Sequence, residues 1–485
     1  MVIAMCAALA AGQTRPATNP AAPWLAMALD ELTRAKPVEE SLLPLILAAE
    51  LAADAGDRAT VLEVLRRVEA NPKLFWPKNR WAGNVLRFGV LPTSCVRVGD
   101  RAATDRALRL LAEALRGRDA EEFANAWVGL SAAYAAANEL TGAIQTAAAL
   151  PDPLDQTRAL ATASAAARRF GHIETAERLR DEARSAADRV TDRWDRQQKL
   201  PYQLALWATD SGDADLAMAE IARFENLYAR SLGYSRLARR CALAGDVARF
   251  FNALAAAEAD ADRVQDVRMH KSLRVQIAHA CLAAGDRRRA IENLQKSRDV
   301  LPRGKPFDHW WAGFYLAGWF ARAGDEAAAL SLLKECERLA TEGHPGGRAA
   351  LHDPEVGLES HYRSAIFGFA DAGNIPVAEA LLAPIQNPDT IAEAAGYLAA
   401  AYGAANRPAD AAAALKRVPY DPNEMIQTRR PMALRRTAFG LAGSLADDDL
   451  RAWIAALPNA SDRAWAALGA AEFFIRGRFD DYEPI

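Results

Sequence analysis

Apolar side chains recur every three to four residues through most of this chain, and this spacing places them on one face of an α-helix. Residues 316–333 show the pattern clearly, because one apolar stripe precedes Gly324 and a second stripe follows Asp325. Glycine adopts the left-handed conformation that ends many helices, and aspartate caps the start of the next one. The stretch therefore predicts two antiparallel helices joined by a short turn.

The same turn recurs along the chain. Its clear copies are SGDADLA, AGDVARF, AGDRRRA, AGDEAAA and AGNIPVA, whose glycines are Gly212, Gly245, Gly285, Gly324 and Gly373. Less sharp copies centre on Gly56, Asn138, Gly171 and Asn406. The interval varies from the 33 residues between Gly212 and Gly245 to the 49 between Gly324 and Gly373. Repeated units that each pack on their neighbours predict one elongated array rather than separate domains.

Residues at fixed offsets from the turn also match. A large apolar residue followed by alanine lies eight residues before the glycine, at Leu204-Ala205, Leu237-Ala238, Ile277-Ala278 and Leu316-Ala317. A small residue follows the turn at Ala217, Ala290, Ala329 and Ala378. Over residues 120–476 this pattern resembles the tetratricopeptide (TPR) family. The resemblance implies an all-α fold, a right-handed α-solenoid of antiparallel helical hairpins.

The chain departs from the TPR pattern in two respects. The aromatic residue usual in the first helix is replaced by Ala208, Cys241 and Cys281, and Phe320 alone keeps it among these copies. The variable interval also differs from the usual 34 residues. A HEAT-like or another TPR-like helical array therefore remains an alternative.

The N-terminal part predicts a different organisation. Residues 2–11 form an apolar run that ends in small residues, which is typical of a secretory signal, although no basic residue precedes it. We expect a signal peptide and linker over 1–22, an irregular helical region over 23–118, the array over 119–476 and a tail over 477–485. With the signal, the protein is secreted or periplasmic; with a frayed helix in its place, it is cytoplasmic.

Composition narrows the partners. The chain has 59 basic and 62 acidic residues and a net charge of −3, so no global positive field favours nucleic acid. Beyond the N-terminus, no apolar run approaches the ~20 residues that span a bilayer. Five cysteines without a CxxC pair argue against a disulfide framework and a zinc site. Cys241 and Cys281 lie at equivalent repeat positions, which predicts small buried side chains.

Catalytic and cofactor motifs are missing from the sequence. It contains no GxGxxG opening a helix, no phosphate loop, no HExxH and no GxSxG. His344, His352 and His361 lie near one another in the chain, but their spacing matches no metal-ligand pattern, so a solvated loop is favoured. We therefore expect a non-enzyme without cofactor or metal.

Aromatic residues and arginines suggest a binding surface. The repeat register places six residues on a concave groove: Tyr202, Arg239, His279, Trp311, Phe314 and Arg363. Such a groove suits an extended protein or peptide segment, so the leading hypothesis is a non-catalytic scaffold. The competing interpretation of the aromatics is packing between repeats. The competing function is a helical-toroid enzyme acting on carbohydrate, which needs a closed ring and two facing carboxylates.

Overall fold

The computed structural model describes residues 19–35, 42–71, 89–192, 195–196, 200, 204, 209–210, 212–301, 306–343, 359–418 and 429–477. In these residues it shows 23 α-helices and no strand, so the all-α prediction is confirmed. The helices are α1 (Ala22–Arg34), α2 (Leu42–Ala55), α3 (Arg58–Ala70), α4 (Val90–Arg97), α5 (Arg101–Leu115), α6 (Ala124–Ala136), α7 (Leu140–Ala148), α8 (Pro153–Arg169), α9 (Ile173–Asp188), α10 (Ala214–Ala222), α11 (Leu227–Ala244), α12 (Val247–Ala261), α13 (Val267–Ala283), α14 (Arg287–Asp299), α15 (Pro306–Ala323), α16 (Glu326–Gly343), α17 (Glu359–Asp371), α18 (Ile375–Leu382), α19 (Pro388–Ala404), α20 (Pro408–Leu415), α21 (Arg429–Ala442), α22 (Asp447–Ala455) and α23 (Ala460–Arg476).

Successive helices pair into antiparallel hairpins, both in the array predicted over 119–476 and in the preceding region, where the sequence predicts an irregular organisation. The pairs are α2/α3, α4/α5, α6/α7, α8/α9, α11/α12, α13/α14, α15/α16, α17/α18, α19/α20 and α21/α22. The first helices of neighbouring hairpins pack directly on one another, whereas the second helices touch each other little. Helices on the inside of a curved wall must lie closer together than those outside. We therefore call the first helices inner and the second helices outer.

The turns within the hairpins have the predicted conformation. Gly285 and Gly324 have φ angles of 75° and 85°, and Asn138 and Asn406, in the less sharp copies, also have positive φ. Asn adopts this region more readily than other side chains. The aspartate after the glycine caps the next helix; the Asp325 carboxylate, for example, accepts a hydrogen bond of 3.0 Å from the amide of Ala328.

Glycines allow neighbouring inner helices to approach closely. A Cβ atom on Gly318 of α15 would lie 2.1 Å from the carbonyl oxygen of Ser364 on α17. A Cβ atom on Gly368 of α17 would lie 2.1 Å from the carbonyl oxygen of Gly318. The two backbones are thus in direct contact at this crossing, which only a residue without a side chain permits.

The two ends of the array meet. Helix α1 packs against α23, as the outer helix of a hairpin packs on its inner partner. Helix α2 also packs on α23, as neighbouring inner helices do. Trp24 stacks on Phe474 with ring centroids 6.2 Å apart, and Arg463 pairs with Glu31 at 2.8 Å. One hairpin is therefore composed of the first and last described helices. The array is a closed ring, and the expectation of an elongated body is wrong.

An ion-pair network crosses this closure. Arg476 of α23 pairs with Glu50 at 3.0 Å and Asp54 at 2.7 Å, both on α2. Arg476 also lies 3.5 Å from Glu472, which pairs at 2.6 Å with Arg435 of α21. Glu472 and Arg435 are 0% and 2% exposed. The charges link three inner helices, and two of these lie at opposite ends of the sequence.

Some predictions fall outside the described residues. These are residues 1–18 of the signal, most of the tail, and His344 and His352 of the loop. Within the described part, Cys95, Cys241, Cys281 and Cys336 are buried free thiols, which agrees with the prediction for Cys241 and Cys281. No described helix combines the length and apolar character required to cross a membrane.

A candidate binding surface on the inner helices

The structure separates the six predicted groove residues. Phe314 is 1% exposed and packs on Tyr362 with ring centroids 4.6 Å apart, so it belongs to the wall between hairpins. Its assignment to the groove is wrong, because its side chain points toward the next hairpin. Tyr202 and the side chain of Trp311 lie outside the described part. Arg239, His279 and Arg363 take part in the cluster described below.

The cluster begins between α13 and α15. The ring of His279 lies 4.9 Å from the ring of Trp319 and is largely buried. Burial, together with the positive charges of Arg239 and Arg322, lowers the pKa of His279 to about 3. His279 is therefore neutral at physiological pH. Tyr315, 39% exposed, lies edge-on to Trp319 at 6.3 Å.

The cluster continues from α15 to α17 through an arginine. The guanidinium of Arg322 lies 4.8 Å from the centre of the Trp319 ring, in cation–π geometry. The same group forms an ion pair of 2.7 Å with Asp371. Arg322 therefore joins the ring of its own helix to a carboxylate on the next inner helix.

A stack of four groups then extends from α17 to α21. Phe367 and Tyr397 are stacked with centroids 3.6 Å apart and an angle of 17° between their planes. Arg436 covers the Tyr397 ring at 4.4 Å, and Arg363 lies 6.0 Å from the Phe367 ring. Arg363 also pairs with Glu393 of α19 at 2.7 Å. Each of the two stacked rings thus has a guanidinium group beside it.

Together these residues form a continuous run of contacts over five neighbouring inner helices, from α13 to α21, and the charge of Arg239 on α11 acts on His279. We call it the inner ladder, and its members are Arg239, His279, Tyr315, Trp319, Arg322, Arg363, Phe367, Asp371, Glu393, Tyr397 and Arg436. In the described part of the chain, no cluster of three His, Cys, Asp or Glu could hold a metal ion. Rings and guanidinium groups suit binding by stacking, ion pairs and hydrogen bonds.

Sequence reasoning missed most of the ladder, although a signal was present. Tyr315 and Tyr397 each lie nine residues before the turn residue, Gly324 and Asn406 respectively. Arg322 and Asp371 each lie two residues before it. Counting back from the turn in helical steps therefore finds the surface stripe. Phe314 and Tyr315 show the sensitivity of this count, because one residue rotates a side chain by about 100°.

Comparisons with known proteins identify no family. No family model and no curated protein matches the chain. Among solved structures, Ton1535 from Thermococcus onnurineus NA1 aligns at 16% identity and a TM-score of 0.26, covering 71% of this chain and 97% of its own. A circular tandem repeat protein with novel repeat topology aligns at 13% identity and a TM-score of 0.23, covering 93% of this chain and 98% of its own. Scores this low establish no shared fold.

Proposed function

We propose that this protein is a non-catalytic binding scaffold, a ring of TPR-like hairpins whose inner face holds an extended segment of a partner protein. The observation that carries the proposal is the inner ladder. Its contacts are continuous over five inner helices, and it exposes the Tyr315 ring. Exposed aromatic rings beside arginines are the usual anchors of protein interfaces. Helical-repeat proteins generally use the surface formed by stacked repeats for binding.

Affinity capture with matched variants tests this function. Three proteins are each immobilised and exposed to the same host extract: the wild type, Tyr315→Ala and Phe251→Ala. Phe251 is the control because it is 42% exposed, lies on outer helix α12, and is covered by Arg289 at 5.1 Å. We expect a specific protein to be retained by the wild type and Phe251→Ala and lost from Tyr315→Ala. Overlapping peptides of that protein should then locate the bound segment.

The outcome can also contradict the proposal. Equal capture by all three proteins, or equal loss from both variants, would show that the inner face is not the binding surface. Circular dichroism of each variant must match the wild type, because a change in fold would remove binding for a different reason.

Ring closure supports one second candidate, an enzyme acting on carbohydrate. A closed helical ring is the first of its two requirements. The second is a pair of facing carboxylates, and the two on the ladder, Asp371 and Glu393, are each in an ion pair with arginine. This arrangement is typical of structural ion pairs. Release of reducing sugar from a panel of polysaccharides, abolished by Asp371→Asn or Glu393→Gln, would favour the enzyme over the scaffold.

We also propose that residues 1–22 direct export. The apolar run at residues 2–11, which ends in small residues, supports this proposal. Sequencing the N-terminus of the protein recovered from its host tests it. A chain that retains Met1 and fractionates with the cytoplasm would contradict export.

A further inference from the structure

We propose that α1 is exchangeable between two copies of this chain: α1 of each copy docks on α23 of the other, and a reciprocal dimer forms. The surface concerned is the face of α23 that α1 covers within one ring. The partner that fits this surface is therefore a second copy of the same chain. The exchange is independent of the proposed function, because it concerns the outside of the wall and not the inner ladder.

The α1/α23 pair has the same construction as α11/α12, a hairpin inside the array. Arg463, the fourth residue of α23, pairs with Glu31 of α1 at 2.8 Å. Arg230, the fourth residue of α11, pairs with Asp260 of α12 at 2.6 Å. The arginine and the acid are 22% and 10% exposed in the first pair, and 21% and 8% exposed in the second. Helix α23 therefore presents a complete seat for an outer helix, as α11 does.

The two pairs differ in how their helices are joined. Arg230 and Asp260 are 30 residues apart in the sequence, and the turn at Gly245 connects their helices. Glu31 and Arg463 are 432 residues apart, so no turn joins α1 to α23 and non-covalent contacts alone hold the two helices together. Segments with few constraints open at a lower free energy than the whole fold. Helix α1 can therefore leave α23 while the rest of the ring stays folded.

A released α1 must bury its apolar face again, because exposing that face to water is unfavourable. Four large apolar side chains of α1 are buried in the ring: Trp24, Leu25, Leu29 and Leu32. Two copies present identical α23 surfaces, so α1 regains the same contacts on either one. The effective concentration of α23 within one chain is high, which favours the closed monomer in dilute solution. A higher protein concentration shifts the balance toward the exchanged dimer.

The outside position of α1 allows the exchange without threading. As an outer helix, α1 reaches α23 and α22 from outside the ring, and the guanidinium of Arg451 on α22 lies 4.7 Å from the centre of the Trp24 ring. No segment has to pass through the ring. Because both copies exchange the same element, the two contacts are related by two-fold symmetry, and the assembly closes as a dimer.

Charge reversal at the Glu31–Arg463 pair tests the exchange on the full chain. Glu31→Arg places a second arginine opposite Arg463, and Arg463→Glu places a second glutamate opposite Glu31. Each variant alone is mismatched both within one chain and between copies. In a mixture of the two, α1 of each variant matches α23 of the other.

Native mass spectrometry measures the result. The two variants are mixed in equal amounts, held in urea below the unfolding midpoint so that α1 can open, and returned to buffer. We expect a dimer with one chain of each variant, at least about tenfold more abundant than the dimer of either variant alone, because only the mixed dimer relieves the like-charge contact. The matched control mixes Arg230→Glu with Asp260→Arg. It should yield monomers, because a turn keeps α11 and α12 together.

A second measurement uses only chains in which the pair is matched. The double variant with both Glu31→Arg and Arg463→Glu closes its own ring and should have the circular dichroism spectrum of the wild type. Concentrated together after the same urea treatment, the wild type and the double variant should each form dimers with themselves. Mixed dimers should be strongly depleted, because α1 of one protein is mismatched to α23 of the other. This readout does not require the single variants to fold.

Four results overturn the exchange. Monomers alone in the mixture of folded single variants would show that α1 stays on its own chain. Equal dimer formation by the Arg230→Glu and Asp260→Arg control would attribute the dimers to loosened structure. Mixed dimers of the wild type and the double variant in statistical proportion would place the contact between copies on another surface. Wild type that stays monomeric at its highest soluble concentration, after the urea treatment, would equally contradict it.

Discussion

Replacing Trp24 with alanine tests whether the ring is closed by its two ends. Trp24 lies on α1, is 0% exposed, and stacks on Phe474 of α23. The guanidinium of Arg451 on α22 lies 4.7 Å from the centre of its ring. In an open array α1 would be a terminal helix without these partners. The substitution therefore removes a contact that only the closed ring contains.

The expected magnitude follows from the burial of this side chain. Truncating a buried tryptophan to alanine typically costs about 3–5 kcal/mol, since apolar transfer energy is lost and a cavity remains. Loss of the Arg451 cation–π contact adds about 0.5–2 kcal/mol. Each 1.4 kcal/mol is a factor of ten in an equilibrium constant, so local separation of α1 from α23 should become at least about 100-fold more frequent.

Hydrogen–deuterium exchange read by mass spectrometry measures this separation. We expect Trp24→Ala to accelerate amide exchange in α1 and equally in α23, although more than 430 residues separate Trp24 from α23 in the sequence. Trp127→Ala serves as the control, because Trp127 is a partly buried tryptophan on α6, outside the closure. Unchanged protection in α23 of Trp24→Ala would refute the closed ring.

Four further predictions address the wall and its charges. Gly318→Ala should lower the free energy of unfolding by about 1–3 kcal/mol, because the new Cβ meets the Ser364 carbonyl oxygen. Urea unfolding measures this change, and an increase of about 0.5–1 kcal/mol, the usual gain from alanine in a helix, would contradict the close crossing. Glu472→Gln should cost about 3–5 kcal/mol, because it removes the carboxylate that pairs with buried Arg435. Replacing both residues with apolar ones should restore much of that loss in the same assay. His279 binds a proton below about pH 6.5 in the unfolded chain but only near pH 3 in the native ring, so stability should fall as the pH falls. Between pH 7 and pH 5 this residue should lower the free energy of unfolding by about 2 kcal/mol. His279→Gln should remove that part of the pH dependence of unfolding. Gly324→Val should cost more than about 1 kcal/mol, because a branched side chain opposes a φ of 85°, and a melting temperature equal to that of the wild type would refute this account of the turn.

The local features of the fold were predictable from the sequence. The turn at Gly324 and the cap at Asp325 depend only on the conformations open to glycine and on a carboxylate within reach of the next amides. The alternation of helices depends on apolar spacing, which is visible along the chain. Even the less regular turns at Asn138 and Asn406 follow from the tolerance of asparagine for positive φ. Each of these features is decided within a few residues.

The candidate surface was predictable only in part. The sequence placed Arg239, His279 and Arg363 on one face, and the structure brings all three into the ladder. It gave no indication of the stack between Phe367 and Tyr397, because that contact depends on how α17 and α19 are rotated against each other. The crossing at Gly318 and Gly368 sets such a rotation, and these glycines are not distinguishable by pattern from other small residues.

The sequence alone determined that the chain is all-helical, that its helices form hairpins, and where most of the hairpins turn, because local backbone preferences and apolar periodicity act over a few residues. Only the tertiary structure decided that the array closes on itself. Closure depends on small rotations between neighbouring hairpins that add up around the whole wall. The sum brings Trp24 onto Phe474 and Arg476 onto Glu50 and Asp54, and no single repeat contains that information.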